Sequence, residues 1–207
     1  MELNVWLALL AAALLISLSP GAGAITSMSY GLSHGMRNAA FAILGLQVGL
    51  VLQLLIVGVG LGSVIATSET LFQVIKWAGV VYLIWLGISH WRAAGSIQLK
   101  AAAGGFNPRR AFMQSVLVNL TNPKATVFLV ALLPQFINPG QPQAPQLLII
   151  GLTLVAVDVS VMSGYSGLAS RLRRMVANPH AVMRLNRVTG SALVGAALLL
   201  STAHGRG

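Results

Sequence analysis

The sequence predicts an all-α membrane protein with six transmembrane helices, arranged as two inverted three-helix repeats in which helices one and four are broken. Three observations carry that prediction. The 207 residues are 56% hydrophobic and only 8% charged, more apolar than a single water-soluble core of this size requires. Several windows reach the roughly 20 mostly apolar residues needed to cross the hydrocarbon at about 1.5 Å per residue. The basic residues, finally, gather in alternate connections between those windows.

The spans run from Val5 to Met28, Ala39 to Ala66, Leu71 to Ser89, Phe112 to Phe136, Leu147 to Ala169 and Val188 to Ala203. Backbone groups in lipid must be bonded within their own segment, and these runs are too long and too continuously apolar for alternating barrel strands, so each is expected to be a helix. Ten of the thirteen basic residues fall in odd-numbered connections: Arg37; Arg92, Lys100, Arg109 and Arg110; Arg171, Arg173, Arg174, Arg184 and Arg187. Positively charged loops stay cytoplasmic, which puts both termini outside the inner membrane of a bacterium. The net charge of +10 would also suit nucleic acid, but a basic face interleaved with aromatic residues is absent, so no nucleic-acid partner is expected. Arg171, Arg173 and Arg174 instead fix topology and meet anionic membrane lipids.

An N-terminal apolar run ends in Ala22, Gly23 and Ala24, which imitates a signal-peptide cleavage site. A basic n-region is missing, and cleavage would leave an odd number of spans, so the segment is read as a retained helix. The chain has no cysteine, which excludes disulfides, thiol redox chemistry and thiolate metal sites.

One transmembrane domain is expected over 1–207: a first repeat over about 1–92, a basic cytoplasmic linker over about 90–110, and a second repeat over about 111–207. The linker carries Gly95, Gly104, Gly105 and Pro108 and reads as mobile. The uncharged segment from Pro134 to Pro145, with four prolines, reads as a short, stiff external turn. The repeat is visible as matched interruptions, Ser19, Pro20, Gly21 in span one and Asn122, Pro123, Lys124 in span four. Each precedes a small residue and then a second helix with a small and polar entry, Gly45 with Gln47 and Gly151 with Thr153. Three spans per half is odd, so the halves are inverted, a transporter layout whose binding site lies near the midplane where the breaks meet.

Proline inside a helix frees carbonyls that need other partners. Repair by Ser17, Ser19 or Thr121 would make each a simple kink. Two prolines at matched positions point instead to a site in which freed amides and carbonyls bind a carboxylate and an ammonium. Lys124 and Asp158 lie at the centres of their spans, where a charge costs at least roughly 2.5 kcal/mol. A structural ion pair would make both tolerable. The functional alternative gives Lys124 the substrate carboxylate or a gating contact, and Asp158 the substrate ammonium or a transported proton. Ser115, Asn119, Asn122 and Thr126 form one stripe on helix four, and Gly151, Asp158 and Tyr165 share a face of helix five. Polar packing explains such stripes as well as a permeation path does. Gln47 and Gln53 are weaker candidates, with interhelical hydrogen bonding as the plainer role. The glycines Gly31, Gly35, Gly45 and Gly49 suit close helix packing.

Six spans, Ser19-Pro20-Gly21, the glycines from Gly31 to Gly49, Asn122-Pro123-Lys124 and Asp158 together resemble the LysE/RhtB family of bacterial amino-acid exporters, over nearly the whole chain. The resemblance implies a secondary exporter rather than an enzyme, moving neutral amino acids such as threonine or homoserine, homoserine lactone, or basic ones such as lysine or arginine. It also implies proton coupling and an oligomer for which a homodimer is one form; no cofactor or metal is expected. The implied substrate-binding set is Ser19, Pro20, Gly21, Gln47, Asn119, Asn122, Pro123, Lys124 and Asp158, with Asp158 as the proton-coupling group. The sequence departs from the family's usual Pro-Gly-Pro followed by a polar residue, because Ala22 and Gly23 follow Gly21, which loosens the first break.

Three rival readings meet obstacles in the sequence. Gly164, Tyr165, Ser166 and Gly167 match the pattern around the serine of rhomboid-type intramembrane proteases. The base would be His204, which the expected topology puts on the opposite side of the membrane. A metal-ion exporter would need ligand spacing that the four scattered histidines lack. A non-transporting scaffold leaves Lys124 and Asp158 without a task.

Overall fold

A computed structural model of the protein describes residues 1–67, 69–92, 105–138 and 140–171, with short helical pieces at 183–184, 187–188, 190–191 and 194–195. Among the described residues the longer elements are all α-helices: α1 (Leu3–Leu18), α2 (Ala22–Thr67), α3 (Glu69–Arg92), α4 (Pro108–Leu120), α5 (Pro123–Phe136) and α6 (Gln143–Arg171). Ala22–Gly60 of α2 and Gln143–Ser170 of α6 are long and apolar enough to cross a membrane, and α4 with α5 form a third such length, bent by 52°. Most of the expected span from Val188 to Ala203, most of the linker and Arg173 and Arg174 lie outside the described residues.

Both expected breaks are present, and local chemistry explains them. α1 stops at Leu18 and its C-cap Ser19 is already extended, with φ −77° and ψ 114°. Pro20 and Gly21 then separate it from α2. At the second break Asn122 is the N-cap of α5, its side chain accepting a hydrogen bond from the Lys124 backbone N–H at 3.1 Å. Pro123 occupies the first turn, where its missing N–H has no helical partner to lose. The prolines therefore start or separate helices and are not kinks within them. At Thr121 the side-chain repair suggested for a kink is seen, its hydroxyl donating to the Leu117 carbonyl, whereas the Ser17 hydroxyl donates to Asp158.

Two expectations need correction. The stretch between Met28 and Ala39 is not a loop: α2 runs through it, and only Gly35 leaves helical geometry, with φ 77° and ψ 167°. One glycine in the left-handed half of φ space redirects the chain with no intervening loop, while Arg37 stays exposed on the helix surface. The turn beginning at Pro134 starts later, because Pro134 is buried in the last turn of α5. The connection after it is organised by Gln146, whose Oε1 accepts from the Asn138 N–H at 2.8 Å and whose Nε2 donates to the Asn138 carbonyl at 3.0 Å.

Packing centres on α2, which lies against both α4 and α6; α1 packs on α6 and α3 on α5. The α2–α4 crossing is close because Gly45 and Gly49 are one turn apart. A Cβ on Gly49 would stand 2.7 Å from the Val116 carbonyl oxygen, and one on Gly45 would meet the Phe112 carbonyl and Ser115. Gly31 likewise packs against Ser166 of α6, whereas Gly35 has open space around it. Three of the four glycines expected to pack helices do so, and Gly35 serves the backbone turn instead. The main apolar core joins Leu9 and Ala13 of α1, Leu54 of α2, Phe128 to Phe136 of α5, and Ile150, Leu154 and Val157 of α6.

Candidate functional site

Breaking two helices against each other leaves backbone groups without helical partners in an apolar interior, and the side chains that satisfy them define the site. At the first break, the Lys124 ammonium reaches across from the start of α5 and donates to the carbonyls of Ile16, at 3.0 Å, and of Ser19. Tyr165 of α6 donates its hydroxyl to the Leu18 carbonyl at 2.7 Å. The end of α1 is thus held by a cation, where the negative end of a helix dipole favours one. Gly21 permits this, since a Cβ there would be only 3.2 Å from Lys124 Cδ. At the second break, Gln53 of α2 donates Nε2 to the Leu120 carbonyl at 3.2 Å, the Asn122 carbonyl at 3.4 Å and Thr126 Oγ1 at 2.7 Å.

Asp158 lies on α6 facing the same region. Its Oδ1 accepts from Ser17 Oγ at 3.1 Å and its Oδ2 from Gln47 Nε2 at 2.8 Å. Among the described residues no N···O contact within 4.0 Å joins Lys124 to Asp158, so the direct ion pair that would have explained both charges is not formed. Each charge is instead held by neutral groups with bonding capacity left over. Two of the three ammonium N–H groups are used, and each carboxylate oxygen has a second lone pair.

A cavity of about 70 Å³ lies between them. Ser19 and Gly21 of the first break, Asn119, Asn122 and Lys124 at the second, and Asp158 of α6 all line it. Its remaining walls are apolar, including Leu46, Phe128, Leu154 and Met162. A few water-sized volumes of this kind suit a small ligand with two charged ends and a short apolar side chain.

Of the nine residues expected to bind substrate, six line the cavity. Pro20 and Pro123 shape the breaks without lining it, and Gln47 acts behind Asp158 through its hydrogen bond. The stripe on helix four faces α2: Asn119 Nδ2 donates to the Leu46 carbonyl at 2.6 Å, and Thr126 meets Gln53. Sequence reasoning missed Ser17 and Tyr165 as partners of the site. Their signal was weak, Tyr165 standing one heptad after Asp158 on the same face of α6.

Ser166 is fully buried, and a Cβ on Gly31 would stand 2.5 Å from its Oγ. Its Oγ has no hydrogen-bond partner, so no base is bonded to it among the described residues, and His204 lies outside them. Groups of three or more His, Asp and Glu side chains are likewise not gathered among the described residues.

The chain is similar to known proteins over nearly its whole length. The family model described as LysE type translocator matches residues 14–204. A homoserine/homoserine lactone efflux protein of Salmonella typhi is 50% identical over 201 residues, covering 96% of this chain and 97% of its own. An uncharacterized membrane protein of Vibrio cholerae serotype O1 is 44% identical, covering 98% and 99%. A leucine efflux protein of Enterobacter sp. is 28% identical, covering 98% and 97%. No solved structure matches.

Proposed function

The chain belongs to the LysE-type translocator family, a family of membrane amino-acid exporters, and from that premise we propose that it is a proton-coupled secondary exporter of neutral amino acids and close derivatives of the homoserine class. The observation that carries the proposal is the placement of Lys124 and Asp158 around one cavity at the meeting of two broken helices, each with unused bonding capacity and neither bonded to the other. A zwitterion fits between them, its carboxylate on the remaining Lys124 N–H and its ammonium on Asp158. Ser17 and Gln47 hold the carboxylate of Asp158 in position. Release of the substrate frees Asp158 to take an external proton, which returns inward on the same carboxyl and links efflux to the gradient.

The acid ledger of the chain favours neutral cargo over basic. The sequence has only three acidic residues, Glu2, Glu69 and Asp158. Glu2 stands at the N-cap position of α1 and Glu69 begins α3, and among the described residues Asp158 is the one carboxylate on the cavity. A lysine or arginine side chain would bring a second cation with no anion to meet it, and an unpaired charge in an apolar wall is costly. Phe128, Leu154 and Met162 offer it only apolar surface. The 50% identical relative, named for homoserine and homoserine lactone, supports the same choice.

In this reading the two halves are inverted three-helix repeats in the bacterial inner membrane, with the basic connections cytoplasmic and both termini outside. The test is accumulation of labelled homoserine by inverted membrane vesicles with and without an imposed pH gradient, with lysine as comparator. Gradient-dependent accumulation of homoserine but not lysine is expected. Indifference to the gradient rules out proton coupling, and lysine carried as fast as homoserine rules out the charge argument.

A further inference from the structure

A second cavity, of about 180 Å³, lies nearer the basic end of the molecule and has no part in the site above. Its walls are Tyr30 and His34 of α2 and Phe106, Asn107, Arg110 and Gln114 at the start of α4. These side chains form an ordered set. Tyr30 donates its hydroxyl to Gln114 Oε1 at 2.9 Å. The His34 ring stands 5.9 Å from Tyr30 and 5.3 Å from Phe106 between centroids, and Phe106 in turn packs 6.0 Å from Phe41. Asn107 fixes the first turn of α4 by accepting from the Arg110 backbone N–H at 3.0 Å, and Arg110 lines the cavity from that turn.

We propose that this cavity is a capture site on the cytoplasmic side, in which Arg110 takes the carboxylate of a substrate amino acid and Tyr30 with the Phe106 and His34 rings takes its ammonium, before the substrate passes to the cavity between Lys124 and Asp158. The proposal rests on the exporter reading and its orientation, with the basic connections facing the cytoplasm. Guanidinium matches carboxylate geometry with two parallel N–H donors. The Tyr30 oxygen, having donated its proton to Gln114, still accepts from an ammonium, and aromatic faces attract cations. The wall holds no acidic side chain, so the ammonium meets only partial charges. Such a site holds cargo weakly and gives it up to a deeper site that has both an anion and a cation.

The two cavities are both lined from α2 and α4. Ala24 lines the inner cavity and Tyr30 the outer one on the same helix, about 9 Å apart at helical rise, and Asn119 and Gln114 stand in the same relation on α4, about 7.5 Å apart. On these two helices the outer cavity is less than two helical turns from the inner one.

Arg109 supplies the control. It is exposed, adjacent and equally charged, but it does not line the cavity. The experiment measures initial rates of homoserine and homoserine lactone uptake into inverted vesicles bearing Arg110→Gln, Arg109→Gln or Tyr30→Phe, with each protein's level in the membrane determined. The lactone is a cyclic ester and has no free carboxylate. Arg110→Gln is expected to raise KM for homoserine about five-fold, the scale of one exposed ion pair, with the maximal rate unchanged and KM for the lactone unmoved. Tyr30→Phe raises KM for both, because both carry the ammonium, and Arg109→Gln raises neither. Equal rises for Arg109→Gln and Arg110→Gln, equal effects on homoserine and lactone in Arg110→Gln, or an unchanged KM in both Arg110→Gln and Tyr30→Phe would overturn the capture site. Failure of the exporter reading itself has a different signature, since wild-type vesicles would then accumulate neither compound.

Discussion

Replacing Asp158 by Asn tests the centre of the mechanism because the structure lets the fold survive the change. The carboxylate accepts one hydrogen bond on each oxygen, from Ser17 Oγ at 3.1 Å and from Gln47 Nε2 at 2.8 Å. An amide keeps an acceptor for Ser17 but turns a donor toward the Gln47 nitrogen. Gln47 can answer by rotating its own amide, since its buried Oε1 has no partner and becomes the acceptor the variant needs. The hydrogen-bond count is preserved, and the cost in stability is expected to stay within about 1 kcal/mol. Function does not have that escape. The substrate ammonium loses a charge-assisted bond of about 1.5–3 kcal/mol, which is roughly ten- to a hundred-fold in apparent affinity, and the proton carrier disappears. The assay is homoserine accumulation in inverted vesicles, alongside exchange of labelled for unlabelled homoserine with no gradient imposed. Gradient-driven accumulation is expected to vanish while exchange persists at raised homoserine concentration. Wild-type accumulation by Asp158→Asn, at a normal protein level, would refute both roles assigned to this carboxyl.

Three further outcomes follow from the same geometry. Lys124→Met preserves length and burial but deprives the Ile16 and Ser19 carbonyls of their cationic donor; homoserine efflux should fall at least ten-fold while efflux of the lactone, which has no carboxylate, falls less, and equal losses for both compounds argue against carboxylate binding at Lys124. Gly49→Ala places a methyl group 2.7 Å from the Val116 carbonyl oxygen and should cost about 1–3 kcal/mol, read as a lower melting temperature in detergent; an unshifted melt means that α2 and α4 are not in backbone contact there. Ser166→Ala removes a buried hydroxyl that has no hydrogen-bond partner, so transport should match wild type and thermal stability should hold or rise slightly, whereas loss of activity would revive a chemical role for that serine.

How much of this was readable in the chain depended on whether the cause was local. The breaks at Pro20 and Pro123 follow from chemistry within three residues: a proline without a donor, a glycine or a capping asparagine, and the end of an apolar run. Lys124 and Asp158 stand out because a charge in an apolar span has few neutral explanations. The path through Gly35 was hidden, since Ser33, His34, Arg37 and Asn38 are as polar as a loop, and nothing local says that one residue at φ 77° suffices to turn the chain. Pro134 misled for the opposite reason: a proline near a helix end looks like its terminator, yet tertiary packing buries it in the final turn. The partners of the α1 carbonyls were out of reach in principle, because Lys124 and Tyr165 lie more than a hundred positions away and only the packing of α5 and α6 on α1 brings them there.

The two breaks are sealed by different chemistry, and that difference bears on which of them meets the cargo. Carbonyls of the second break are met by Gln53, a neutral amide that binds them and Thr126 without any charge of its own. Those of the first are met by Lys124, whose interaction with carbonyl dipoles is weaker than its interaction with a carboxylate would be. A substrate carboxylate entering the cavity therefore competes for Lys124 on favourable terms and has nothing to gain from Gln53. On the proposed reading, the side chain that recognises the cargo is also the one that secures the end of α1, which would link binding and the position of that helix through one ammonium group.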